Sequence, residues 1–229
     1  MSAASPLIIT HWRIFYLVIF MALLTSSLLA VTINMGGSKD ARPRSVLMNL
    51  RVAKAVVLRA GGELWGGTWG GTSSWLLPFL VLYDDIRGVL PELLFFTYSL
   101  GQLISIFLAS VLPRSMGERR VIEASLIAFI ICDILTTILI KNTLLLFPIF
   151  LAFGVSSFLY RPPTDVLIIK IVGNENAGTS IGYANAVSQV GSMIAPPLMV
   201  GLAIGISPIL GVLSLALGPL ASLIVLYTI

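Results

Sequence analysis

Seven long apolar stretches alternate with short polar segments along this chain of 229 residues. An α-helix needs about 20 apolar residues to cross a bilayer, and each stretch has about that length. The pattern therefore predicts an all-α membrane protein with about seven transmembrane helices. The fifth stretch reaches at least Tyr160 and can continue past Pro163 to Ile171. The predicted spans are residues 14–35, 64–83, 89–112, 121–140, 143–160, 177–205 and 208–229.

The composition narrows the class of protein further. Apolar residues make up 57% of the chain and charged residues 10%, against roughly 25% charged residues in a typical soluble domain. With a mean hydropathy of +1.01, the chain is neither disordered nor a water-soluble domain, whose surface needs polar groups. The net charge of +4 would suggest nucleic acid in a soluble protein. Here the basic residues lie between apolar stretches, so the expected partner is the lipid bilayer and not a nucleic acid.

The distribution of basic residues predicts the orientation of the spans. Eleven of the 14 lysines and arginines fall on one side when alternate loops are grouped. Because basic loops are retained in the cytoplasm, that side is cytoplasmic, and the N-terminus lies outside the cell membrane. Three regions follow from this reading. They are residues 1–35 with one helix, a basic cytoplasmic linker at 36–63, and a six-helix bundle at 64–229.

The linker contains a short amphipathic pattern. Val46, Leu50 and Val57 fall on one helical face with the small Ala53, and Arg51 lies on the opposite side. Such a basic amphipathic helix suits the anionic inner leaflet of a membrane. A solvated linker helix with an incidental apolar stripe explains the same residues.

Three motifs resemble those of the major facilitator superfamily. The segment HWRIF at 11–15 is similar to the start of that family's sixth helix, which often has Trp-Arg-x-x-Phe. The segment RSMGERR at 114–120 resembles the family's Gly-x-x-x-Asp-Arg-x-Gly-Arg-Arg loop. Its glycine is kept, as are Arg119 and Arg120, but the aspartate is absent. The segment GNENAGTSIGYANAVSQVGSMIAPP at 173–197 resembles the loop before the eleventh helix and the course of that helix.

This resemblance covers nearly the whole chain and implies the fold of that family. Its members have two six-helix halves, and the substrate binds between them. The chain would then contain helices six to twelve and lack the first five, with the basic linker as the central loop. We therefore expect a truncated or split transporter. Its implied partners are a small solute, protons where transport is coupled, and either a missing N-terminal half or a second copy of the chain.

Asp133 is the clearest charged residue inside a predicted span. It lies twelve residues after Val121 in the fourth span, which places it near mid-membrane. Charged groups inside a membrane are costly and usually functional, so Asp133 is a candidate proton-binding or gating carboxylate. The alternative is a hydrogen-bonded residue that faces another helix, since the matching ninth helix of the family is usually peripheral.

Arg161 and Asp165 are four residues apart and share a face if one helix contains both. A Pro-Pro pair lies between them and must kink or end that helix. The length of the fifth span places Arg161 near the inner surface. By resemblance, Asp165 would pair there with Arg119 or Arg120 and close the inner gate. Ordinary positive-inside anchoring by Arg161 is the alternative.

Four residues are candidates for lining a substrate cavity. Trp65 and Trp69 share a face of the second predicted span, which corresponds to a cavity-lining helix of the family. They could stack a substrate or belong to the aromatic belt at the membrane interface. Tyr98 and Gln102 share a face of the third span. They could bind substrate or join helices by hydrogen bonds.

The chain offers no metal-ligand cluster, because it has one histidine and one cysteine. The glycine-rich run at 66–71 lacks the Gly-Lys-Ser/Thr ending of a phosphate-binding loop. We therefore expect no cofactor and no enzymatic activity, and interpret the chain as part of a permease for secondary active transport. The alternatives are a non-transporting scaffold or subunit, and an intramembrane enzyme. The enzyme would use carboxylates among Asp84, Asp85, Asp133 and Asp165.

Overall fold

A computed structural model of the chain describes residues 17, 20, 21, 24, 25, 53, 54, 70–82, 86 and 88–229. The chain divides into two compact units, Met1–Ser45 and Val46–Ile229. The five described residues of the first unit are helical. Most of the predicted first span and of the linker lies outside the described residues, so the amphipathic linker helix stays a prediction.

The described residues of the second unit form helices and contain no β-strand. A helix satisfies its backbone hydrogen bonds internally, which apolar surroundings require. This described part also contains 3-10 turns at Asn174–Asn176 and Ser214–Ala216. The α-helices in this part of the chain are α1 (Gly70–Leu82), α2 (Leu90–Met116), α3 (Glu118–Ile138), α4 (Thr143–Leu159), α5 (Arg161–Val172), α6 (Ala177–Gly205), α7 (Pro208–Leu213) and α8 (Leu217–Leu226).

Five helical segments in the described part of the chain are long and apolar enough to cross a membrane. The helices α4 and α5 together form one segment, and α7 and α8 together form another. The prediction of an all-α membrane fold is thus confirmed. The total of seven spans stays a prediction, because α1 is described for 13 residues only. The five segments are Leu90–Met116, Glu118–Ile138, Thr143–Val172, Ala177–Gly205 and Pro208–Leu226.

The third of these segments continues past the Pro-Pro pair. Pro162 and Pro163 occupy the first turn of α5, which begins with Arg161 directly after Tyr160. Proline is tolerated in the first turn of a helix, where the N–H has no helical partner in any case. The amide of Thr164 then donates to the carbonyl oxygen of Tyr160 at 3.1 Å. The helix ends and restarts here, as the prolines predicted, and the span runs on to the end of α5.

The helices α2 and α4 approach each other so closely that two glycines lie against the facing backbone. A Cβ atom added to Gly101 would overlap the carbonyl oxygen of Leu151, and one added to Gly154 would overlap that of Tyr98. Small residues permit such contact between membrane helices. As a result, α2 packs more extensively on α4 than on its neighbour in the chain, α3. The aromatic core includes Phe79, Phe129, Phe150 and Phe153.

Candidate functional site

Asp133 lies on α3 and is completely buried. Neither of its carboxyl oxygens has a hydrogen-bond partner of ordinary geometry among the described residues. The backbone amide of Ala216, in the last span, approaches the group, but no standard hydrogen bond results. Buried polar groups are usually hydrogen-bonded, and an unpaired charge in such surroundings is strongly unfavourable. Among the described residues, the fold therefore leaves this carboxyl group with no partner beyond the nearby Ala216 amide.

The position of Asp133 along its helix differs from the sequence prediction. The helix α3 begins at Glu118 and ends at Ile138, so it starts earlier and ends earlier than the predicted span. At 1.5 Å per residue, Asp133 lies about 22 Å from Glu118 and about 8 Å from Ile138 along the axis. The carboxyl group is thus nearer one end of α3 and not at its middle. The bounds differ because hydropathy excluded the charged first turn, which is helical. The depth of Asp133 in the membrane stays a prediction.

The last span is interrupted beside this carboxyl group. The helix α7 ends at Leu213 and α8 begins at Leu217, with the 3-10 turn Ser214–Ala216 between them. The Ser214 hydroxyl donates to the carbonyl oxygen of Gly211 at 2.7 Å. A short 3-10 stretch inside a long helix often marks a hinge. Asp133 together with this turn forms the candidate site.

Tyr98 and Gln102, the predicted cavity residues, lie where α2 meets α4. The side-chain nitrogen of Gln102 donates to Tyr98 Oη at 3.2 Å and to Ser157 Oγ at 3.3 Å. Tyr98 is fully buried, and its ring packs edge-on against Phe153 with 5.8 Å between the centroids. These contacts favour the alternative in which hydrogen bonds join two helices. A role in a substrate cavity stays a prediction.

The turn between α2 and α3 contains the motif of glycine and arginines. Gly117 has a φ of +85°, which glycine adopts without the penalty that a Cβ atom brings. Glu118 follows directly and accepts a hydrogen bond from Lys170 Nζ at 2.7 Å. Lys170 belongs to the last turn of α5. An ion pair therefore ties this turn to the end of α5.

The last residues of the chain contact the same end of α3. Tyr227 donates a hydrogen bond to Glu123, and this bond raises the pKa of Tyr227. The guanidinium carbon of Arg119 lies 5.9 Å from the centroid of the Tyr227 ring. Lys54 Nζ donates to the carbonyl oxygen of Thr228 at 2.9 Å. Sequence reasoning missed Glu123 and Tyr227, which are 104 residues apart and share no local spacing.

Arg161 and Asp165 both belong to α5, as a continued helix required. The guanidinium carbon of Arg161 lies 5.8 Å from the ring centroid of Phe158. The position of Arg161 near the inner surface stays a prediction, although the prolines restart the helix and do not terminate the span. Nine further residues, or about 14 Å of helix, separate it from Lys170. The pairing of Asp165 with an arginine of the motif stays a prediction.

Trp65, Trp69, Asp84 and Asp85 lie outside the described residues. Predictions that involve them, as cavity walls or as enzymatic carboxylates, therefore stay predictions.

The apolar helical segments define a multi-pass membrane protein. The sequence profile of the Major Facilitator Superfamily matches residues 1–196 and 70–229, two ranges that together include the whole chain. The chain therefore belongs to the Major Facilitator Superfamily, as its three motifs indicated. Members of this family are generally transporters, so the chain is in general terms a membrane transporter. No curated protein and no solved structure matches it.

Proposed function

We propose that this chain takes part in secondary active transport of a small solute across the cell membrane, by alternating access between two six-helix halves. We further propose that Asp133 binds the coupling proton. The observation that carries this assignment is a fully buried carboxyl group without a standard hydrogen-bond partner among the described residues.

A proton-coupled transporter needs a group that exchanges its proton with water in one state and is shielded in another. Ionising an unpaired carboxyl group in apolar surroundings is costly, so its proton leaves only when water or a cation reaches it. The interruption at Ser214–Ala216 supports such a change of surroundings, because a break in a membrane helix is a place where the backbone can rearrange. Movement at this turn would expose Asp133.

The charged turn between α2 and α3 is the proposed inner gate. In support, the Glu118–Lys170 ion pair already links the start of α3 to the end of α5. We propose that Arg119 or Arg120 meets Asp165 when the inner side closes, since arginine and carboxylate can form two parallel hydrogen bonds. The bias of basic residues supports a cytoplasmic location for this turn and an external N-terminus.

The spans from α1 onward would form one half of the transporter. The other half would come from a separate chain, from a second copy, or from further sequence of the same protein. The intact mass of the native protein in its membranes distinguishes these sources. A mass near 24.6 kDa, the value for this sequence, would support a half-sized product. A mass roughly twice as large would mean that a longer protein carries both halves.

The test of transport is solute movement by protein purified from its source membranes, so that any partner is retained, and placed in liposomes. Radiolabelled sugars, organic acids, amino acids and organic cations are assayed for counterflow, and then for accumulation under an imposed pH gradient. We expect both activities for one of these classes. The variant Asp133→Asn should keep counterflow and lose at least about 90% of the gradient-driven accumulation, because Asn cannot carry a titrating proton.

The matched control is Thr136→Val, which changes another buried residue of α3 and should retain both activities. Unchanged accumulation in Asp133→Asn would refute the proton role, and so would equal loss of counterflow and accumulation. A protein that moves no solute would favour the scaffold or subunit alternative. Chemical turnover without a gradient would favour the intramembrane enzyme.

A further inference from the structure

An open apolar groove runs along the surface of the bundle between α2, α3 and α4. Its volume is about 490 Å³, within the range of about 300–1,000 Å³ typical of ligand sites. Among the described residues, its walls include Ile104 of α2, Ala124 and Ala128 of α3, and Ala152 and Val155 of α4. The groove exists because the facing positions on α3 and α4 are alanines, whose side chains leave space between the helices.

Two serines contribute to the groove, and both of their hydroxyl groups are engaged elsewhere. Ser125 Oγ donates to the carbonyl oxygen of Ser156 at 2.8 Å. Ser156 Oγ donates to the carbonyl oxygen of Phe153 at 2.9 Å. Neither serine has a hydroxyl hydrogen left for a ligand. Both serines are also almost fully buried, and the other lining residues are apolar. The part of the occupant that lies in the groove is therefore apolar.

The length of the groove matches one leaflet of a membrane. It follows α4 from Pro148 to Leu159, which corresponds to about 16 Å along a helix axis. Half of the hydrocarbon thickness of a bilayer is about 15 Å. Ile104, at the wall of the groove, is 41% exposed and belongs to a membrane-spanning helix. Acyl chains are therefore the molecules that this surface meets.

A cation lies beyond one end of the groove. Arg120, Ala124 and Ala128 are spaced four apart and share one face of α3, with Arg120 about 6 Å from Ala124 along the axis. Arg120 is exposed and makes no ion pair with any described residue. The acidic side chains in the first two turns of α3, Glu118 and Glu123, bind other residues. A free cation at the end of a span attracts anionic headgroups.

We propose that this groove binds one anionic phospholipid, with an acyl chain along α4 and the phosphate against Arg120. The lipid belongs to the leaflet on the side of the α2–α3 turn. By filling the groove it supports the packing of α3 on α4 beside the Ser125–Ser156 hydrogen bond. The proposal involves neither Asp133 nor proton coupling, and it stands whether or not the transport proposal holds. Where Arg120 holds the phosphate, the proposed gate contact with Asp165 falls to Arg119.

Native mass spectrometry of the detergent-purified protein tests this site, with dioleoylphosphatidylglycerol and dioleoylphosphatidylcholine as probes. We expect the protein to retain one phosphatidylglycerol in preference to phosphatidylcholine. Arg120→Gln should lower the apparent affinity for phosphatidylglycerol about fivefold, because one cation near a membrane surface contributes about that factor. The variant should also lose the preference for phosphatidylglycerol over phosphatidylcholine. Lys141→Gln removes an exposed cation beyond the other end of α3 and should change neither quantity.

A second pair of variants tests the groove itself. Ala152→Phe places a large side chain in the groove and should abolish retention of both lipids. Ala221→Phe changes an exposed alanine of α8, which is not among the groove residues, and should have no effect. The Arg120→Gln result decides the proposal by itself if Ala152→Phe fails to fold.

Three results would overturn the proposal. The first is equal retention of the two lipids by the unaltered protein. The second is unchanged phosphatidylglycerol binding in Arg120→Gln, or in a folded Ala152→Phe protein. The third is a lipid-free dimer that Ala152→Phe dissociates, which would make a second copy of the chain the occupant.

Discussion

Replacing Gly154 by alanine tests the close contact between α2 and α4. The new methyl group would overlap the carbonyl oxygen of Tyr98, and it would lie 2.8 Å from the carbonyl carbon of the same residue and 3.1 Å from the amide nitrogen of Gln102. These are backbone atoms, which cannot rotate away. The two helices must separate by about 1.6 Å before the methyl reaches an ordinary contact distance of about 3.5 Å.

The expected loss combines two opposing effects. Overpacking a core costs about 1–3 kcal/mol, and the upper part of that range applies because backbone meets backbone. The higher helix propensity of alanine offsets about 1 kcal/mol of this loss in the free energy of unfolding. The net expectation is a free energy of unfolding lower by about 2 kcal/mol. Separation of the helices would also lengthen the hydrogen bond from Gln102 to Ser157.

Thermal unfolding in detergent measures this effect, with a thiol-reactive fluorophore as the probe. Cys132 is the single cysteine of the chain and is 6% exposed, so it reacts when the bundle opens. The matched control is Gly201→Ala, because a Cβ atom there has no neighbour within 4 Å. We expect Gly154→Ala to unfold several degrees below the wild type and Gly201→Ala to unfold at or above it. Equal midpoints for the two variants would refute the steric argument.

Two further predictions concern the charged end of the bundle. The raised pKa of Tyr227 means that its contact with Glu123 contributes fully below the ordinary tyrosine pKa of about 10 and is lost as the pH rises through the higher folded value. Tyr227→Phe should therefore lower the midpoint of a tryptophan-fluorescence melt equally at pH 7 and pH 9. The difference in midpoint between the variant and the wild type should narrow at more alkaline pH. A constant difference at all pH values would contradict this. Asp165→Asn should slow solute exchange in liposomes if that carboxylate closes the inner gate, and Asp165→Glu should retain activity. Unchanged exchange in Asp165→Asn would rule the gate out.

In the described part of the chain, the sequence predicted the spans well, because apolar length decides which segments cross a membrane. The stretch at 177–205 coincides with α6 (Ala177–Gly205), and the fifth stretch continues past its prolines as one of the two readings allowed. The interruption at Ser214–Ala216 was not predicted. No proline or charge stands at these three positions, so hydropathy has nothing there that would mark a break.

The candidate site was only partly predictable. A carboxylate inside an apolar run identified Asp133. Its burial without a standard hydrogen-bond partner among the described residues depends on how α3 packs against the last span. The contacts of Gly101 and Gly154 with the facing helices depend in the same way on tertiary packing, since 53 residues separate the two glycines in the chain. Local spacing in the sequence cannot indicate such pairs. For the same reason, the sequence did not predict the contact between Tyr227 and Glu123.

The glycine contacts between α2 and α4 also constrain the order of assembly during synthesis. A nascent chain that has inserted only α2 and α3 still has the Gly101 surface of α2 in contact with lipid, because its main partner has not yet emerged from the ribosome. Helices insert first and associate afterwards in a membrane. Translation must therefore reach the end of α4 before the largest of the described helix contacts can form. Until then the α2–α3 hairpin is an incomplete unit, available to chaperones or to membrane quality control.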